Sequence, residues 1–125
     1  MGGIVENRPL SAQEIALTTW LLEHGKSGAR AYLDHIARAE VVARCACGCA
    51  SVDFAIGGEC ASLASGMEIL ADYQWRGSLG ELFGVFVFAR GGLLGGLEVW
   101  SIDGAASPTQ LPQPSELTPL VISKE

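Results

Sequence analysis

The spacing of apolar residues changes once along this chain, at Glu40, and that change narrows what it can fold into. Before Glu40 apolar residues recur at helical intervals; after it they recur at intervals of two as far as about Gly104. Helices followed by a run of strands point to an α+β layer architecture, and the absence of alternation argues against parallel βαβ units.

The helical part has legible boundaries. Ser11 and Glu14 have the spacing of a capping box, with Leu10 placed to staple onto Ile15. Ala12, Ile15, Ala16, Thr19 and Leu22, widened by Trp20 and Leu21, form the expected buried stripe. His24 and Gly25 suit the helix end. A second helix is expected after Ser27, burying Tyr32, Leu33, Ile36 and Ala37 and pairing Arg30 with Asp34.

The strand part divides into five segments, at about residues 40–46, 49–56, 67–76, 81–90 and 93–102. Short connections favour antiparallel neighbours, so the expected fold is two N-terminal helices packed on a five-stranded antiparallel meander. A cone-like sheet wrapped around the helices is the alternative. Residues 1–10 read as an N-terminal extension and 104–125, with Pro108, Pro112, Pro114 and Pro119, as an extended arm or edge. At 125 residues the chain fits one domain.

Two hairpin registers follow from turn chemistry. In "RCACGCASVDF", a three-residue loop Ala46-Cys47-Gly48 with glycine in the left-handed region sets Cys45 opposite Cys49, Val42 opposite Val52 and Glu40 opposite Phe54. Gly91-Gly92 as a two-residue turn sets Phe88 opposite Gly95, Phe86 opposite Leu97 and Gly84 opposite Val99. That register leaves Phe83, Val85, Val87 and Trp100 on a second apolar face that short helices cannot also cover. The expected cover is a second copy, another protein, or the proline-rich arm.

Arg8-Pro9-Leu10 before Glu14, Leu21-Leu22, Cys47-Gly48-Cys49 with Ser51-Val52-Asp53, and Gly96-Leu97-Glu98-Val99-Trp100-Ser101 together resemble an uncharacterised family of small bacterial proteins. The resemblance spans most of the chain and implies a bacterial, single-domain protein of unknown function, with no reaction or cofactor attached.

Candidate chemistry is sparse. Cys45, Cys47 and Cys49 are separated by single residues, whereas structural zinc sites usually space ligands C-x₂₋₄-C. Extended chain would hold Cys45 and Cys49 about 13–14 Å apart, too far to share an ion. Cys60, His24 and His35 are the remaining candidate ligands, and no cofactor is expected. Across the expected turn Cys45 and Cys49 are close enough for a strained, labile disulfide, although a reducing compartment favours free thiols. Asp53, Glu68, Asp72 and Glu98 lie in strands, and Asp53, Asp72 and Glu98 near Trp75 or Trp100 mark a possible ligand face or small-molecule pocket. No Ser–His–Asp or Cys–His arrangement is visible, so an enzyme is the weaker expectation. Gly91 to Gly96 join two strands, which argues against a phosphate loop.

The net charge of −6 makes nucleic acid and anionic membrane poor partners. The most apolar window, Leu82 to Leu97, is interrupted by Arg90 and is too short to span a bilayer. The N-terminus lacks the basic start and apolar run of a signal peptide, and Glu6 stands where a myristoylation motif wants Ser or Thr. The expectation is a cytoplasmic interaction module, a homodimer or the partner of another protein, to which small acidic proteins that neutralise toxins offer an analogy only. A thiol redox or metal site at the cysteines is the alternative.

Overall fold

A computed structural model of the chain describes residues 3–62, 64–104 and 106–120. The ends of the expected N-terminal extension and arm, residues 1–2 and 121–125, lie outside the described residues. Among the described residues the sheet has seven strands, not the five expected. They are β1 (Gly3–Pro9), β2 (Ala39–Cys45), β3 (Val52–Ile56), β4 (Met67–Arg76), β5 (Leu82–Arg90), β6 (Leu93–Ser101) and β7 (Thr118–Pro119). Both extra strands come from segments read as an extension and an arm. Gly3-Ile4-Val5 pairs with Cys45-Arg44-Ala43 of β2, and Pro119 and Thr118 pair with Tyr73 and Gln74 of β4. Pro9 and Pro119 disguise these segments, because proline is tolerated only at a sheet edge or strand end.

The strand order is β1-β2-β3-β6-β5-β4-β7, and every pair is antiparallel. The expected meander therefore holds for β4, β5 and β6 but not between β3 and β4. Instead β3 crosses to the far side of the β4–β5–β6 unit and pairs with β6 through Val52↔Leu97 and Asp53↔Gly96. The connection of residues 57–66 is long enough for that crossing.

One full helix, α1 (Ala12–Glu23), starts at the Ser11–Glu14 capping box, in which each side chain bonds the other residue's backbone N–H. Its buried residues are Glu14, Leu17, Thr18, Leu21 and Leu22, so the buried stripe is turned away from the expected one and Ile15 faces outward. Apolar residues surround this helix on most sides, which weakens the sequence signal for any one face. The expected second helix is reduced to a 3-10 turn (Ala29–Tyr32) running into a single helical turn, α2 (Leu33–Ile36). Gly25 is required between them: a Cβ there would collide with the Leu70 carbonyl of β4, which accepts the Lys26 N–H.

The helices lie over one face of the sheet. Leu17, Leu21 and Leu22 form the core with Val41, Val52, Phe54, Ile56, Trp75, Phe83, Val85, Val87, Leu97 and Val99. The C-terminal arm covers this same face. Gln13 of α1 donates to the Leu111 carbonyl, Leu111 and Leu117 pack against the core, and Pro108 is buried.

The β5–β6 turn forms at Gly91-Gly92 as expected, but the register does not. An irregularity beside Phe88 leaves Gly95 out of the ladder, so Phe88 pairs with Gly96, Phe86 with Glu98, Val85 with Val99 and Gly84 with Trp100. A one-residue slip exchanges the two faces of a strand. Phe83, Val85 and Val87 consequently belong to the helix-covered core, while Phe86, Phe88 and Trp100 point to the opposite face.

Candidate functional site

Two regions bring chemistry-bearing side chains together: the cysteine turn, and the face of the sheet that no helix covers.

The turn links β2 to β3. Gly48 adopts φ 90, the left-handed conformation that its position was expected to need, and its N–H donates to the Cys45 carbonyl. The loop is longer than three residues. Cys45 N–H bonds the Ser51 carbonyl, and Arg44, not Val42, lies opposite Val52. The longer loop accounts for the difference at Val52, and an irregularity between Val41 and Ala43 then gives Val41 the core place expected of Val42. Cys45 and Cys49 are therefore not the opposed cross-strand pair.

All three sulfurs nevertheless converge, each within 4.8 Å of the others. Folding the chain back at Gly48 removes the extended-chain separation that argued against a shared site. Cys45 Sγ is 2.8 Å from Cys47 Sγ, and all four cysteines are free. Backbone N–H groups point at the sulfurs: Cys47 N lies 3.4 Å from Cys45 Sγ and Cys49 N 3.3 Å from Cys47 Sγ. The hydrogen bond to Cys47 pushes the Cys45 thiol up to about 11, and the same bond pulls the Cys47 thiol below its ordinary value. Cys49 Sγ reaches Ser51 Oγ, which is buried between the Val99 N–H and carbonyl and anchors the turn to β6. Ala50 N–H donates to the Pro108 carbonyl, tying the turn to the arm as well. Cys60 is not part of the group. It lies after β3 beside a cavity of ≈ 230 Å³ lined by Asp53, Phe88 and Arg90.

The second region is the outer face. Register places Asp72, Phe86 and Glu98 in one row across β4, β5 and β6, with Trp100 over Gly84 and Asp53 beside Gly96. Glycines make this surface possible: a Cβ on Gly95 would lie 2.6 Å from the Phe88 ring, and one on Gly84 would strike the Trp100 indole. Ile69 and Val5 extend the face, both exposed, and Trp100 retains 36% of its surface. Burial raises the carboxyl groups of Asp53, Asp72 and Glu98 above the ordinary range. Arg90 partly opposes this at Asp53, and the charge of Asp53 adds to it at Glu98. Asp72 Oδ1 is buried with no hydrogen-bond partner among the described residues.

The other expected candidates separate. Glu68 pairs with Lys26 at the exposed surface, and Trp75 is in the core. His24 caps α1 and stacks on Trp20, while His35 Nδ1 accepts the Leu94 N–H and burial lowers the imidazole's pKa. Neither belongs to the sulfur group.

Sequence reasoning missed an ion-pair chain on the inner side of the turn. Arg8 bonds both oxygens of buried Glu14 and reaches Glu6, which also receives Arg44. The chain lines a cavity of ≈ 540 Å³ beside Cys49 and Ser51. Arg8, six residues before a capping-box glutamate, was the available signal.

No helix among the described residues is long and apolar enough to cross a membrane. Comparison with protein-family models, curated proteins and solved structures finds no match.

Proposed function

We propose that the chain is a cytoplasmic protein-interaction module whose uncovered sheet face docks a basic segment of another protein. The observation that carries this reading is the outer face itself. The helices and arm lie together on the inner side, leaving Val5, Ile69, Phe86 and Trp100 interleaved with Asp53, Asp72 and Glu98. Apolar surface of this kind marks contacts, and partly desolvated carboxylates without enough cations of their own favour Lys and Arg from outside. Aromatic rings beside carboxylates also suit guanidinium and ammonium groups.

Charge favours a basic partner over a second copy. Two copies meeting through this face would oppose like carboxylates on a chain of net charge −6, whereas a basic partner neutralises them. Four free thiols suit a reducing compartment. The resemblance to small bacterial proteins adds a bacterial source to this reading.

The test uses a synthetic lysine-rich peptide with interspersed leucines, titrated against the full chain while tryptophan fluorescence is followed. Binding should weaken with added salt and be largely lost in Trp100→Ala and in Asp72→Asn/Glu98→Gln. Unchanged binding in these variants, or none by the natural chain, would falsify the docking reading. A dimer in sedimentation that Trp100→Ala dissolves would give the face to a second copy instead.

A further inference from the structure

The docking reading makes no use of the cysteine turn. Three sulfur donors on one short exposed turn, gathered within 4.8 Å, form a nearly complete ligand set before any ion arrives. The turn is also stiffened. Gly48 N–H holds the Cys45 carbonyl, Ser51 Oγ is locked to Val99, and Ala50 is tied to Pro108. Main-chain N–H groups from Cys47 and Cys49 point at sulfurs of the set. Hydrogen bonds to ligand sulfurs are the usual outer support of thiolate metal sites.

The spacing fits a soft ion. Metal–sulfur bonds of about 2.3 Å at tetrahedral to trigonal angles place the sulfurs about 3.8–4.0 Å apart. The present separations run from 2.8 Å for Cys45–Cys47 up to a limit of 4.8 Å, so small side-chain rotations reach that geometry. Among the described residues no histidine nitrogen or carboxylate oxygen joins the group. The donor set is therefore three sulfurs without a fourth ligand. Structural zinc takes four ligands, and thiolates select copper(I) among the soft ions.

We propose that Cys45, Cys47 and Cys49 bind one copper(I) ion in three-coordinate, all-sulfur geometry. Three S–H bonds break, three copper–sulfur bonds form and three protons leave to solvent; no electron is transferred. The site stands independently of the outer-face docking surface, so either can fail alone.

The experiment titrates reduced, metal-free protein with copper(I) without oxygen, against bicinchoninate as a competing chelator. One copper ion per chain should be withdrawn from the chelator, with a near-ultraviolet thiolate-to-copper band. Cys47→Ser should weaken binding at least about 100-fold, the upper range for removing even a supporting partner of a metal site. Cys47 is exposed, so this variant should keep the natural circular dichroism; Cys49→Ser provides a second reading of the same loss. Cys60→Ser should bind like the natural chain. Copper remaining with the chelator overturns the site, as does equal loss in Cys60→Ser. Zinc(II) bound more tightly than copper(I) overturns the assignment of the ion.

Discussion

Arg8 grips Glu14 through two hydrogen bonds of 2.9 Å, joining the edge strand β1 to the first turn of α1. The glutamate is buried and also accepts the Ser11 N–H, so one carboxylate serves both the helix cap and the strand. Burial alone would raise its pKa, but hydrogen bonds from Arg8 and Ser11 outweigh it and hold the carboxyl below its ordinary 4.5. A folded pKa below the unfolded one gives stability above the unfolded value, lost as pH falls through the folded value. Glu14→Gln should cost about 1–3 kcal/mol near neutral pH, discounted because Arg8 is partly exposed. The difference from the natural protein should shrink on acidification below about pH 4, followed by urea unfolding at several pH values.

The carboxylates of the outer face behave in the opposite sense. Burial raises Asp72, so its folded pKa lies above its unfolded one and the protonated form favours folding. That contribution is complete below the unfolded pKa and disappears as pH rises through the folded pKa. Asp72→Asn should therefore leave stability unchanged or slightly increased at pH 7, measured as Tm. A clear loss of stability at that pH would show that Asp72 has a cationic partner in the folded chain.

Gly48→Val isolates backbone strain. Nothing lies within 4 Å of a Cβ built there, so the cost comes from φ 90 alone, about 1–2 kcal/mol. Chemical denaturation measures it. Any relaxation of the turn should also slow copper(I) uptake.

Val85→Lys separates core from surface. Val85 is fully buried beside Val99 under α1, so a lysine there should cost about 4 kcal/mol or more and unfold the chain at every protein concentration. The face of Phe83, Val85, Val87 and Trp100 expected from the sequence gives either a broken dimer or an unfolded monomer; sedimentation with circular dichroism separates a folded, dissociated monomer from the unfolding expected of a core site.

How far the sequence could be read depended on where one residue was added or lost. The capping box, the left-handed conformation of Gly48, the Gly91-Gly92 turn and the four boundaries of β4 and β5 were legible within one residue, because each rests on local chemistry. Face assignment is not local. Gly95 in the β5–β6 ladder and Val42 between β2 and β3 are irregularities that turn residues do not announce, and each inverts a strand relative to its neighbour. The valines of β5 and the phenylalanines beside them are both apolar, so composition could not reveal the inversion. β3 joining β6 is set by the whole sheet and has no mark in either strand. The sulfur cluster was visible as residues, but its convergence depended on a loop longer than the shortest one its glycine permits.

The two outermost strands, β1 and β7, bear on how far this chain avoids uncontrolled stacking. β1 ends in Pro9 and has an irregular register between Val5 and Arg8, while β7 is only two residues long and ends in Pro119. A proline supplies no N–H to an incoming strand, and broken or very short borders offer a poor template for cross-β growth. The β1 border therefore resists ribbon-like extension, whereas among the described residues β7 covers only Tyr73 and Gln74 of β4, so the sheet is guarded at one border and open to an added strand along Met67 to Asp72 at the other.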